Sequence, residues 1–170
     1  VALKQPCLLE GGTSAGKTSV ILYLAALLRQ PVLRVNLSGQ TDVADLVGRY
    51  APEVGSGGWA WQDGPLVTAM TTGAWLILDE LNLAEPQVLE RLNPVMERQP
   101  TLLLNEHDNR QIGGGEQPLA PGFHLFATMN PAEYHGRSPL SPAWIDRWQG
   151  YRCVPDPGER DYASMLRQLV

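Results

Sequence analysis

The chain is poor in lysine, cysteine and long apolar runs, and each scarcity closes off a class of protein. Only Lys4 and Lys17 among its thirteen basic residues are lysines, and the net charge is −5. A general affinity for nucleic acid is therefore not indicated. The bias toward arginine hints at a high-GC bacterial coding sequence, and so at a cytoplasmic setting. Two cysteines, Cys7 and Cys153, cannot build a disulfide scaffold, and a reduced pair is the expectation. No apolar run is long enough to span a bilayer, and no basic-then-apolar leader opens the chain. The three histidines, His107, His124 and His135, lack metal-ligand spacing, and no Gly-x-Ser-x-Gly element offers a serine nucleophile. At 170 residues the chain is one domain with room for a core. It starts without Met and ends in what reads as a new helix, so a piece of something longer is expected.

What is present is a phosphate-binding loop. Residues 11–18 read Gly-Gly-Thr-Ser-Ala-Gly-Lys-Thr, the G-x-x-x-x-G-K-[ST] pattern. The apolar run Cys7-Leu8-Leu9 precedes it, and the helix-forming stretch Ser19 to Leu28 follows. Strand, glycine loop and helix is the context the motif requires. Gly11 and Gly16 are expected to adopt dihedrals that a side chain would oppose. The amides of Gly11, Gly12, Thr13, Ser14, Ala15, Gly16, Lys17, Thr18 and Ser19 then face phosphate oxygens, helped by the positive end of the helix dipole. Lys17 reaches the β- and γ-phosphates, and the Thr18 hydroxyl holds Mg²⁺.

Strand and helix patterns alternate along the rest of the chain. Val32–Asn36 reads as a strand, and Thr41 or Asp42 as the cap of a short helix. Residues 48–64, rich in glycine and tryptophan, suit a hairpin. Pro65 opens a helix that Gly73 stops, and Trp75–Leu78 is a buried strand. A helix is expected from Glu85 to Arg98, with Pro94 kinking or ending it. Thr101–Asn105 reads as a strand or hairpin arm, Phe123–Met129 as a strand, Ser141 to Trp148 as a short helix, and Tyr151–Val154 as a last strand. The alternation predicts an α/β domain whose parallel sheet is covered on both faces.

Hydrolysis needs a carboxylate for the metal and a group that aims water. Leu76-Ile77-Leu78-Asp79-Glu80 delivers two acids at a strand's C-terminal end, where open α/β sheets bind ligands. Asp79 would hold Mg²⁺, largely through water, and Glu80 would act as general base. Asn130 ends the strand from Phe123 and offers an amide to water and γ-phosphate; an Asn-Pro turn is the plainer alternative. Arg147, at the end of a short exposed helix, is either a solvated charge or a guanidinium that reaches a neighbouring subunit's γ-phosphate.

Nearly the whole chain resembles the AAA+ ATPases of the dynein-related group, which contains midasin and the MoxR-like proteins. The resemblance rests on Leu8 to Thr18, on Gln40-Thr41-Asp42 with Asp45-Leu46-Val47-Gly48-Arg49-Tyr50, and on Trp61-Gln62-Asp63-Gly64-Pro65-Leu66. It continues through Leu78-Asp79-Glu80-Leu81-Asn82-Leu83-Ala84, Val88 to Asn93, Leu125 to Pro131, and Gly136-Arg137 running into Leu140-Ser141-Pro142-Ala143 and Arg147. It implies a P-loop NTPase three-layer αβα sandwich with a five-stranded parallel sheet in the order 5-1-4-3-2, and hairpin insertions in helix 2 and before sensor 1. Residues 1–155 would be the large nucleotide-binding subdomain, and 156–170 the start of a helical lid.

By the same resemblance Lys17 and Thr18 map onto Walker A, Asp79 and Glu80 onto Walker B, Asn130 onto sensor 1 and Arg147 onto the arginine finger. Arg137 falls where midasin-like sequences also carry an arginine. The implied activity is Mg²⁺-dependent ATP hydrolysis in a hexameric or pseudo-hexameric ring that remodels a partner protein. A von Willebrand A domain with a metal-ion-dependent adhesion site is an implied partner, and a eukaryotic midasin would be nuclear. Two other readings stand beside it: a non-hydrolysing module that uses nucleotide to hold a ring together, and a GTP-using relative. Asn130-Pro131-Ala132-Glu133 stands where the GTP-using relatives carry Asn-Thr-x-Asp, which favours ATP.

Overall fold

The computed structural model describes residues 5–53, 55, 57–115, 117–133 and 140–168. Arg137 lies outside them. In chain order the elements are β1 (Cys7–Gly11), α1 (Lys17–Leu27), β2 (Val32–Asn36), α2 (Val43–Val47), β3 (Gly48–Pro52), β4 (Trp59–Asp63), α3 (Pro65–Thr72) and β5 (Trp75–Asp79). Then follow α4 (Pro86–Leu92), β6 (Leu102–Leu103), β7 (Gln111–Ile112), β8 (His124–Met129), α5 (Pro142–Ile145), β9 (Arg152–Val154) and α6 (Glu159–Gln168).

Five strands form one parallel sheet in the order β2-β5-β8-β1-β9. Counting only those strands along the chain, and reading from β9, this is 5-1-4-3-2, as the resemblance implied. The short pairs β3–β4 and β6–β7 stand apart as antiparallel hairpins.

Side-chain parity divides the sheet into two faces. Trp75, Ile77, Leu9 and Phe126 pack against Ile21 and Ala25 of α1. Leu8, Leu76, Leu78, Leu125 and Ala127 point the other way into a larger core with Leu46 of α2, Leu66 and Met70 of α3, and Val88 and Leu92 of α4. Both faces of β5 and β8 are buried along their whole length, which is why these strands read as unbroken apolar runs.

Local chemistry sets the helix ends. Asp42 caps α2 in a reciprocal capping box with Asp45. Pro65 sits in the first turn of α3, and Gly73 closes it in a left-handed conformation. The helix expected over 85–98 is shorter: α4 ends at Leu92, and Asn93–Met96 continues as a 3₁₀ turn with Pro94 near its start. Proline lacks the N–H that would continue the α ladder. The helix expected to reach Trp148 stops at Ile145, although Trp148 itself is buried in the core. Cys7 and Cys153 lie on neighbouring strands and are both free. Among the described residues no helix is long and apolar enough to cross a membrane.

Candidate functional site

The tips of β1, β2, β5 and β8 meet the N-terminus of α1 around an open cleft of about 190 Å³. Thr13, Ser14, Gly16, Lys17, Thr18, Ser19, Arg34, Asn36, Asp79, Glu80, Thr128 and Asn130 line it. No side chain caps α1, and no acid stands in its first turn, so its leading amides are left for an anion.

Two of the three loop glycines, Gly11 and Gly16, do different work. Gly16 has φ 85°, and a Cβ there would meet nothing within 4 Å, so the backbone angle demands it. Gly11 has no such angle. A Cβ at Gly11 would stand 2.4 Å from the Val154 carbonyl oxygen, so close strand packing demands it. The dihedral role expected for both belongs to Gly16 alone.

Lys17 is buried and threads the loop. Its Nζ donates to the carbonyls of Gly11 (2.9 Å) and Gly12 (2.7 Å) and to Asn130 Oδ1 (2.8 Å). Asn130 is the hinge of the site. Its Nδ2 faces Glu80 at 3.3 and 3.4 Å from the two carboxylate oxygens. Glu80 sits just beyond β5 in a left-handed conformation (φ 60°, ψ 43°) that a non-glycine residue adopts only at a cost of about 1–3 kcal/mol. That turn points its carboxylate toward Asn130 instead of carrying it on along the strand.

Asp79 is 3 % exposed. Its Oδ1 accepts the hydroxyls of Thr18 (2.9 Å) and Thr128 (2.7 Å), and its Oδ2 is ion-paired with the Arg34 guanidinium. The donor set suits Mg²⁺: hard oxygens from Asp79 and Thr18, without sulfur or imidazole. No cluster of three or more His, Cys, Asp or Glu that could hold a metal occurs among the described residues. An ion here would thus share its shell with water and phosphate, as Mg²⁺ commonly does.

Lys17, Thr18, Asp79, Glu80 and Asn130 are therefore brought together as the sequence suggested. Arg147 is not among the residues lining this cleft. It pairs with Glu97, Nη1 to Oε1 at 2.5 Å. Three residues escaped sequence reasoning. Arg34 interrupts an apolar strand two positions before Asn36, on the parity that carries Asp79, and that interruption was the available signal. Thr128 faces Asp79 from β8. Asn82 donates from Nδ2 to the Asn130 carbonyl at 2.9 Å and braces the strand end.

A glycine loop that threads a lysine toward a strand-end amide and two acids defines a P-loop nucleotide site on a parallel α/β sheet. The chain belongs to the AAA domain family, dynein-related subfamily, whose model matches residues 6–148. It is 44 % identical to midasin of Giardia intestinalis over 149 residues, covering 87 % of this chain but 3 % of that protein. Protein NorQ of Paracoccus denitrificans is 34 % identical, with 84 % of this chain and 50 % of NorQ covered. The denitrification regulatory protein NirQ of Pseudomonas aeruginosa is 31 % identical, with 86 % and 54 % covered. The chain thus spans a small fraction of midasin and about half of the two bacterial relatives. The crystal structure of a candidate ATPase from Cytophaga hutchinsonii shares the fold at TM-score 0.72 and 21 % identity, over 98 % of this chain and 46 % of that one.

Proposed function

We propose that this domain binds ATP with Mg²⁺ and hydrolyses it within a ring of AAA+ modules, and that the cycle remodels a partner protein. One observation carries the reading: a single amide, Asn130, touches both Lys17 and Glu80. Whatever bond Lys17 makes at the phosphates is linked by one side chain to the carboxylate that would draw a proton from water.

The roles follow from position. Residues 11–19 wrap the phosphates with backbone amides and the open end of α1. Thr18 and Asp79 hold the ion, which neutralises phosphate charge when bound. Glu80 accepts a proton from water, and Asn130 keeps that carboxylate aimed. Arg147 serves a neighbouring module's nucleotide, in keeping with its absence from the lining of its own cleft. Residues 156–170, with α6, begin a helical lid over the nucleotide. The hairpins β3–β4 and β6–β7 meet the client protein, and a von Willebrand A domain is the partner we favour. The setting is cytoplasmic.

The test is Glu80→Gln in the full-length, assembled protein. Nucleotide binding should persist while phosphate release disappears. An unmutated assembly that binds nucleotide but releases no phosphate would make the domain a structural module instead. Equal turnover of GTP and ATP would remove the preference for adenine.

A further inference from the structure

Asp79 is engaged on both oxygens by groups of the chain itself. Two hydroxyls hold Oδ1, and the Arg34 guanidinium holds Oδ2. A buried carboxylate left without a counter-charge is costly, and Arg34 supplies one. Yet the Arg34 side chain is 55 % exposed. The side chain rises from β2 on the parity that carries Asp79, beside Asn36, and lines the cleft together with loop residues Thr13 and Ser14. Nothing in its position makes the contact permanent: a long side chain with a wet flank exchanges partners at little cost.

We propose that Arg34 is a resident counter-cation for Asp79, that it competes with Mg²⁺ for that carboxylate, and that once released it turns to the phosphates of the incoming nucleotide. This rests on the reading of the cleft as an Mg²⁺-nucleotide site. A guanidinium and a divalent cation cannot share one carboxylate without strong mutual repulsion. A triphosphate offers the guanidinium planar, bidentate acceptors in exchange for Asp79. Arg34 therefore opposes the bare ion at Asp79, and the ion and the triphosphate enter together. The Lys17 ammonium is held by the Gly11 and Gly12 carbonyls and Asn130.

The experiment uses the full-length assembled protein carrying Glu80→Gln, so that nucleotide is not consumed. Binding of a fluorescent ATP analogue is followed against free Mg²⁺, with Arg34 intact and with Arg34→Ala. The half-saturating Mg²⁺ concentration is expected to fall at least about threefold in the Ala variant, because the competing cation is gone. Arg34→Lys, which keeps the charge, should stay near the unmutated value. An unchanged or higher Mg²⁺ midpoint overturns the proposal. So does an equal loss of affinity in Mg²⁺ and in EDTA, which would make Arg34 a phosphate ligand and nothing more. If the Ala variant melts early, Arg34→Gln keeps the stem and gives the same comparison. A parent protein that shows no Mg²⁺-dependent binding at all would instead sink the reading of the site itself.

Discussion

Asn130 Oδ1 accepts from Lys17 Nζ at 2.8 Å, joining two residues 113 positions apart in the chain. The contact also fixes which way the amide faces. Its oxygen meets an ammonium and its NH₂ meets the Glu80 carboxylate, so the reverse orientation would set like against like at both ends.

That polarity gives the first prediction. Asn130→Ala removes the link between Lys17 and Glu80 without touching the loop amides. Phosphate release by the assembled protein should fall about 10²-fold. Nucleotide affinity should stay within about tenfold, or 1.4 kcal/mol. Asn130→Asp should be worse for turnover, because a second carboxylate then faces Glu80. Steady-state phosphate release and equilibrium binding of a fluorescent nucleotide separate the two effects.

Arg147 and Glu97 form an ion pair with both side chains substantially exposed. Such pairs contribute about 0–1 kcal/mol. Arg147→Ala should therefore leave the urea midpoint of the domain almost unchanged. If its guanidinium serves a neighbour, turnover in the assembly should drop by about 10³-fold, while turnover of unassembled protein stays at its own basal level. A fall of equal size in both states would show that Arg147 acts elsewhere.

The edge of the sheet should contribute to the alkaline limb of stability. Tyr151 donates its hydroxyl to the Glu10 carboxylate, and that bond, with burial, pushes the phenol above its usual value of 10.0. Burial likewise raises the Cys7 thiol, which donates to the Gly150 carbonyl at 3.1 Å, above 9.0. In both cases the folded state holds its proton more tightly than the unfolded chain does. The stabilisation is complete below the unfolded values and is lost as pH rises from about 9 for Cys7 and about 10 for Tyr151, up through the folded values. Tyr151→Phe should flatten the decline in melting temperature above pH 10. A thiol reagent at pH 8 should modify exposed Cys153 well before Cys7.

Where residues carry their own local instruction, sequence reasoning reached the structure closely. The strand Val32–Asn36, the Asp42 cap, the hairpin around the tryptophans and the loop-to-helix passage at Lys17 all depend on neighbours in the chain. Pro94 was legible as a fault in a helix, but not as the start of a 3₁₀ turn, because the turn is shaped by packing of Val95 and Met96 into the core. The Asp79 cradle was half legible. Thr18 and Asp79 announce themselves by motif, whereas Arg34 and Thr128 arrive from other strands, and only the register of the sheet places them. Arg147 and Glu97 are 50 positions apart, and no pattern in the sequence joins them.

The two inserted hairpins are tied to one another. The Tyr50 hydroxyl lies 2.9 Å from His107 Nδ1, the Trp61 and His107 rings stack with centroids 4.7 Å apart, and Arg110 reaches Asp63 at 2.8 Å. Tyr50, Trp61 and Asp63 belong to β3–β4, while His107 and Arg110 come from the turn between β6 and β7 and its edge. The pair is thus a truss and not two separate fingers. A load on either arm would thus be carried in part by the other.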